Sequence, residues 1–157
     1  NPKRWSIVLT HQPFFSPREG RDNVLLRQHL LPVIRKRKVD LVLQGHDHVY
    51  GRLKNEAPTP VFVVSVTGAK QYRLSEEARK TMRPVAEDTQ LFQVLRFDGP
   101  RLRYEARTAT GRLYDAFDLV DGGAAGKQLV EHAEGRIEER TCTRAETLKG
   151  RADRCWE

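Results

Sequence analysis

His11, His46 and His48 are the residues best suited to chemistry in this chain. Imidazole is the commonest side-chain metal ligand near neutral pH. His46 and His48 stand two residues apart in Gln44-Gly45-His46-Asp47-His48-Val49-Tyr50, directly after the apolar run Val39-Asp40-Leu41-Val42-Leu43. His11 stands in Thr10-His11-Gln12-Pro13, after a second apolar run over residues 5–9. Both runs are short and rich in branched residues, as buried strands are. A polar turn that happens to hold histidine would account for either stretch alone. Two strands that each end in histidine argue for a shared site, and three imidazoles brought together there would form a metal centre.

Bringing them together needs a parallel strand–helix–strand unit, in which both strands end on the same side of the sheet. Open α/β sheets carry their sites at that edge. The helix between the strands has Asp22 or Asn23 to cap it and runs to about Lys38. Leu26, Leu30, Val33 and Ile34 fall on one helical face. Pro32 lacks the amide that would bond Gln28, which predicts a kink or a break. Arg35, Lys36, Arg37 and Lys38 lie at the helix end, where the dipole favours cations. His29 reads as a helix-surface residue. Gly45 is expected to make the sharp turn at the strand end. Residues 12–21 hold Pro13, Pro17 and Gly20 around Phe14 and Phe15, and read as an ordered loop bordering His11.

Downstream, residues 55–60 form a turn-rich connection. Residues 61–66 read as a strand covered on both faces, being almost unbroken in apolar character. Residues 70–88 read as a loop with a short helix. Three alternating runs, 90–97, 101–108 and 113–119, are joined at Asp98-Gly99-Pro100 and Ala109-Thr110-Gly111. They predict an antiparallel meander with one face on the core. Residues 121–126 read as a linker, and the charged tail beyond as at most a weak amphipathic helix. The chain is thereby divided into 1–121 and a charged extension, 122–157. The only two cysteines, Cys142 and Cys155, fall in that extension. A disulfide between them implies an oxidising compartment, periplasmic or secreted; unpaired thiols are the alternative. Zinc is disfavoured there, because the tail has no Cys-x-x-Cys spacing and His132 is the only imidazole near.

A chain of 157 residues is long enough for one domain with a real core. Its 38% apolar content is gathered in periodic runs, which excludes a disordered chain. It has no apolar run of about 18 residues, so no membrane-spanning helix is expected. The net charge of +7 fits a solvated basic surface or an anionic partner such as a phosphorylated substrate. The basic residues are spread out, without an aromatic–basic module, which argues against nucleic acid.

Through Thr10-His11-Gln12-Pro13, the run from Val39 to Tyr50, and Val66-Thr67-Gly68-Ala69, the chain resembles the calcineurin-like metallophosphoesterases, in their purple acid phosphatase-like branch. The resemblance covers about residues 5–120. It implies an α/β fold with α+β mixed sheets, the C-terminal half of a β-sandwich flanked by helices. Those enzymes hold two metal ions through five blocks of ligands, and this chain carries the last two. The Asp-x-His, Gly-Asp and Gly-Asn-His blocks are missing from it. The implied function is metal-dependent phosphoester hydrolysis, with this chain as the C-terminal part of the enzyme. His11 and His46 would ligate one ion and His48 the other. The ions would be iron, manganese or zinc, complete in the full-length domain and partial or absent here. Tyr50 would shape the substrate pocket, or else simply pack at the strand end. Gly51 departs from the glutamate usual after that tyrosine. The implied partners are a phosphorylated substrate, the N-terminal half of the same domain, and a second copy meeting an exposed half-domain face. The chain alone is expected to be inactive. The competing reading is a non-enzymatic binding or structural module that keeps the fold without a complete metal site.

Overall fold

The computed structural model describes residues 4–65 and 68–142. Strand β1 (Ile7–Thr10) leads into helix α1 (Val24–Lys36) and strand β2 (Leu41–Gln44). The two strands are parallel, from Ile7 opposite Leu41 to Thr10 opposite Gln44. α1 begins after Asn23, whose side chain does not cap it; Asn23 Nδ2 donates to the Pro13 carbonyl instead. The helix passes through Pro32 without breaking, and Arg35 and Lys36 occupy its last turn. Its apolar face needs correction. Ile34 is buried and Leu26 is half-buried, but Leu30 and Val33 are exposed, so only one side of the expected stripe meets the sheet.

Strand β4 (Val61–Val64) extends the sheet in parallel with β2. Strands β3 (Tyr50–Leu53) and β5 (Met82–Ala86) complete it antiparallel, in the order β1-β2-β4-β3-β5. Residues 70–88 contain the expected short helix, α2 (Glu76–Thr81), capped by the Ser75 side chain. They also contain β5, which had read as loop. Pro84 disguises it, yet β5 is an edge strand, where proline is tolerated.

The second sheet is β6 (Leu91–Asp98), β7 (Arg101–Thr108), β8 (Leu113–Asp121) and β9 (Lys127–Glu131), all antiparallel. Its first three strands are the expected meander. The linker and weak helix are replaced by a hairpin. Gly123–Ala125 form a single 3₁₀ turn, and β9 returns along β8 with Phe117 opposite Glu131. Backbone pairing along β8 outweighs the weak helical tendency of that stretch. The expected boundary at residue 121 therefore falls inside a hairpin.

The sheets face each other across a core. Leu41, Tyr50, Val61 and Val63 of one meet Leu102, Tyr104, Tyr114, Phe117 and Leu119 of the other. The opposite face of the first sheet, Val42 and Phe62, packs on Phe14 and Ile34. Period-two alternation explains this: both faces of β2 and β4 are covered, so their sequences are apolar throughout. Among the described residues no helix is long and apolar enough to cross a membrane.

Candidate functional site

Because Thr10 and Gln44 are register partners, the chain leaves β1 and β2 at the same height. The amide of Gly45 donates to the Thr10 carbonyl at 3.2 Å, closing the two strand ends together. His11 Nε2 and His46 Nδ1 then lie 2.9 Å apart, with the rings edge to face. The turn itself is made differently from the expectation. His46, not Gly45, has the left-handed backbone, with φ of 66°. Histidine tolerates that region better than most residues, but a side chain there is still strained.

His48 does not join the other two rings. Its Nδ1 lies 2.9 Å from the Lys70 carbonyl, and its ring packs on Tyr72 at 5.0 Å between centroids. A carbonyl only accepts, so Nδ1 is the donor, and in the neutral ring this leaves the lone pair on Nε2. That is the tautomer a metal-ligating histidine needs, with the far nitrogen fixed by a backbone acceptor. Among the described residues no group of three or more His, Cys, Asp or Glu side chains is gathered closely enough to hold an ion.

Asp47, between the two histidines, turns the other way and is fully buried. It accepts a hydrogen bond from the Ser16 hydroxyl. Arg21 Nε lies 2.7 Å from its other oxygen, as an ion pair without hydrogen-bond alignment. Gln44 accepts from the Phe14 amide at 2.6 Å. These contacts bolt the 13–21 loop to the histidine loop. Sequence reading missed Asp47, Gln44, Ser16 and Arg21 as positioning residues. The available signal was an aspartate enclosed by two histidines, where an inward-facing partner is needed to hold both rings out.

Tyr50 is corrected. It is fully buried, and its hydroxyl donates to Asp115 at 2.7 Å and lies 3.2 Å from that of Tyr104. It packs at the strand end and does not face the site. Burial, reinforced by Asp115, raises its pKa well above the usual value and keeps it a donor. Cys142 is buried near Arg73; the expected Cys142–Cys155 bridge lies outside the described residues, because Cys155 does.

The donor chemistry suits a metal in part. The facing nitrogens of His11 and His46 need to part only slightly to share one ion. Partial burial, then the Arg21 charge, lowers the pKa of His46 and favours the neutral form that can ligate. Around His48 the field is positive: the Arg18 guanidinium lies 4.1 Å from the Tyr72 ring centre and Lys70 Nζ 5.1 Å from it. A hydrogen bond from Lys70 lowers the Tyr72 pKa.

The chain matches no protein-family profile. It is 34% identical over 131 residues to purple acid phosphatase 17 of Arabidopsis thaliana, covering 81% of this chain and 37% of that protein. It is 30% identical over 70 residues to purple acid phosphatase 3 of the same plant, covering 45% and 19%. Its fold is similar to that of the purple acid phosphatase PPD1 from yellow lupin seeds, with a TM-score of 0.59 at 23% identity over 73% of this chain and 24% of that one. It is also similar in fold to GAP50, the anchor in the inner membrane complex of Plasmodium, with a TM-score of 0.52 at 16% identity over 88% and 38%. At such identities the structural likenesses speak for the fold alone. This chain thus spans about a third of the length of the first of these relatives, and it is purple acid phosphatase-like in sequence and in fold.

Proposed function

We propose that the protein hydrolyses phosphoesters with metal ions, and that this chain supplies the last histidine ligands of the centre. The observation that carries the reading is the meeting of His11 Nε2 and His46 Nδ1, 2.9 Å apart, at the ends of adjacent parallel strands. The proposed assignment gives His11 and His46 to one ion and His48, through Nε2, to a second. Iron, manganese or zinc suit these nitrogens together with carboxylates from elsewhere in the protein. Such ions act as Lewis acids toward phosphoryl oxygens and make water nucleophilic near neutral pH. The chain's own residues hold the geometry. Asp47 keeps the two outward histidines apart, Lys70 fixes the His48 tautomer, and Arg18 and Lys70 make the surroundings attractive to an anion.

The missing acidic ligands are assigned to the N-terminal half of the same domain. The exposed apolar side chains of the first sheet and its helix, Leu9 on β1 and Leu25, Leu30 and Val33 on α1, support the presence of such a cover. The test is aryl phosphate hydrolysis with added manganese, iron or zinc, alongside metal content by elemental analysis. Protein expressed from the complete coding sequence should turn over and bind metal. His46→Ala should lower turnover at least about a hundredfold and reduce bound metal, since losing one ligand disrupts the ion. Metal-free protein without turnover would favour a non-enzymatic module, and turnover by the 157-residue chain alone would refute the division of ligands between two halves.

A further inference from the structure

The segment from Lys70 to Leu74 is strapped to both loops of the site. The Tyr72 amide donates to the His48 carbonyl at 2.9 Å, and His48 Nδ1 returns a bond to the Lys70 carbonyl. Leu74 forms a bridge with Arg18, flanked by Glu19 N to the Arg73 carbonyl and Ser75 N to the Pro17 carbonyl. Backbone bonds therefore fix Arg18, Lys70 and Tyr72 beside His48. The guanidinium of Arg18 lies over the Tyr72 ring, and Lys70 stands by the same ring.

The cations of this cluster differ from their nearest neighbours and from the cations of the core in how they are paired. Arg21 and Arg27, on the same loop and the helix after it, are neutralised by Asp47 and Asp22. Arg52, Arg79, Arg103 and Arg136 are each paired as well. Arg18 and Lys70 are paired with no carboxylate among the described residues. Stacking on an aromatic face holds a guanidinium with its N–H groups directed outward in its plane, the arrangement that grips an oxyanion with two bonds.

We infer that Arg18, Lys70 and Tyr72 form a subsite for a second anionic group of the substrate, one aromatic ring's breadth from His48, so that the protein selects phosphoesters bearing a second phosphate. The subsite rests on the hydrolase reading for its orientation, with the reacting phosphoryl group at the histidines.

The test is calorimetric, on the metal-loaded protein expressed from the complete coding sequence, with two hydrolysis-proof probes. Methylenediphosphonate carries two anionic groups and methylphosphonate one. The first should bind more tightly, and Arg18→Gln and Lys70→Gln should each cut its advantage about tenfold, as expected for the loss of a charge-assisted contact. Arg37→Gln removes the same charge from the far end of α1 and should leave the advantage intact. An advantage that persists in both Arg18→Gln and Lys70→Gln would come from the metals alone and overturn the subsite, as would equal binding of the two probes. The outcome is separable from the hydrolase reading. An Arg18-dependent preference in a protein that does not hydrolyse aryl phosphate sustains the subsite and sinks the hydrolase. Metal-dependent hydrolysis without that preference does the reverse.

Discussion

Between the two sheets, Arg52 reaches Asp115 at 2.8 Å and Glu131 at 2.6 Å, and Arg136 reaches Asp115 at 2.8 Å. Tyr50 donates to the same carboxylate. At the strand ends, by contrast, Arg18 and Lys70 have no carboxylate among the described residues, and two imidazoles confront each other in contact with solvent. The first cluster is buried at Asp115 and Arg52, with Glu131 on its solvent side, and burial makes an unmatched charge costly, so every charge there has a partner. The second is exposed and tolerates unspent charge, which a ligand can use. Partnering, more than the number of polar groups, separates a structural network from a candidate site in this chain.

The sharpest way to break that contrast is to remove a partner on each side. Asp115→Ala leaves Arg52, whose side chain is 6% exposed, and Arg136 without their common carboxylate. It should destabilise the protein by ~1–3 kcal/mol, the cost of leaving the buried donors of Arg52 and Tyr50 unsatisfied while Glu131 still balances the charge of both arginines. Denaturant unfolding reads this directly, and a loss below ~1 kcal/mol would mean that water or relaxation replaces the partner.

His46→Gly should act in the opposite direction. The residue holds φ of 66°, a conformation glycine adopts without steric cost. Relief of that strain should raise stability by up to ~1 kcal/mol, while the loss of the imidazole removes the proposed hydrolysis. A variant less stable than its parent would show that the contact with His11 contributes more than the strained backbone costs.

The smallest effect concerns acid. Burial alone would raise the pKa of Glu131, but Arg52 and Arg136 outweigh it and hold the carboxyl below its usual value of 4.5. A group depressed in the folded state contributes fully above its unfolded pKa, and that contribution is lost as pH falls through the folded value. Stability should therefore hold down to about pH 4.5 and decline below it. Glu131→Gln should flatten that decline in thermal melts. An unchanged acid limb would assign it to other carboxylates, Asp118 first, which Arg103 and His132 hold low against the effect of burial.

The strand–helix–strand unit and the meander were legible because period-two alternation and branched residues are local signals. β3 was not, because Gly51 and Arg52 interrupt its pattern; Met82 packs where a side chain at Gly51 would stand. β9 was hidden by its charged, weakly helical sequence, and only its pairing with β8 makes it a strand. Leu30 and Val33 read as core by spacing, yet nothing among the described residues covers them.

The sequence by itself determined which residues are candidates for chemistry, and that His11 and His46 leave neighbouring strands at one edge. Strand spacing and the parallel connection are consequences of local backbone geometry and need no distant information. Only the tertiary structure decided where each side chain of the motif points. His46 turns to His11, Asp47 inward to Ser16 and Arg21, His48 to the Lys70 carbonyl, and Tyr50 to Asp115. Each of these directions is set by a hydrogen-bond or ionic partner about twenty to sixty-five residues away in the chain. Satisfying buried polar groups is a condition on the whole fold, and spacing along one strand cannot express it.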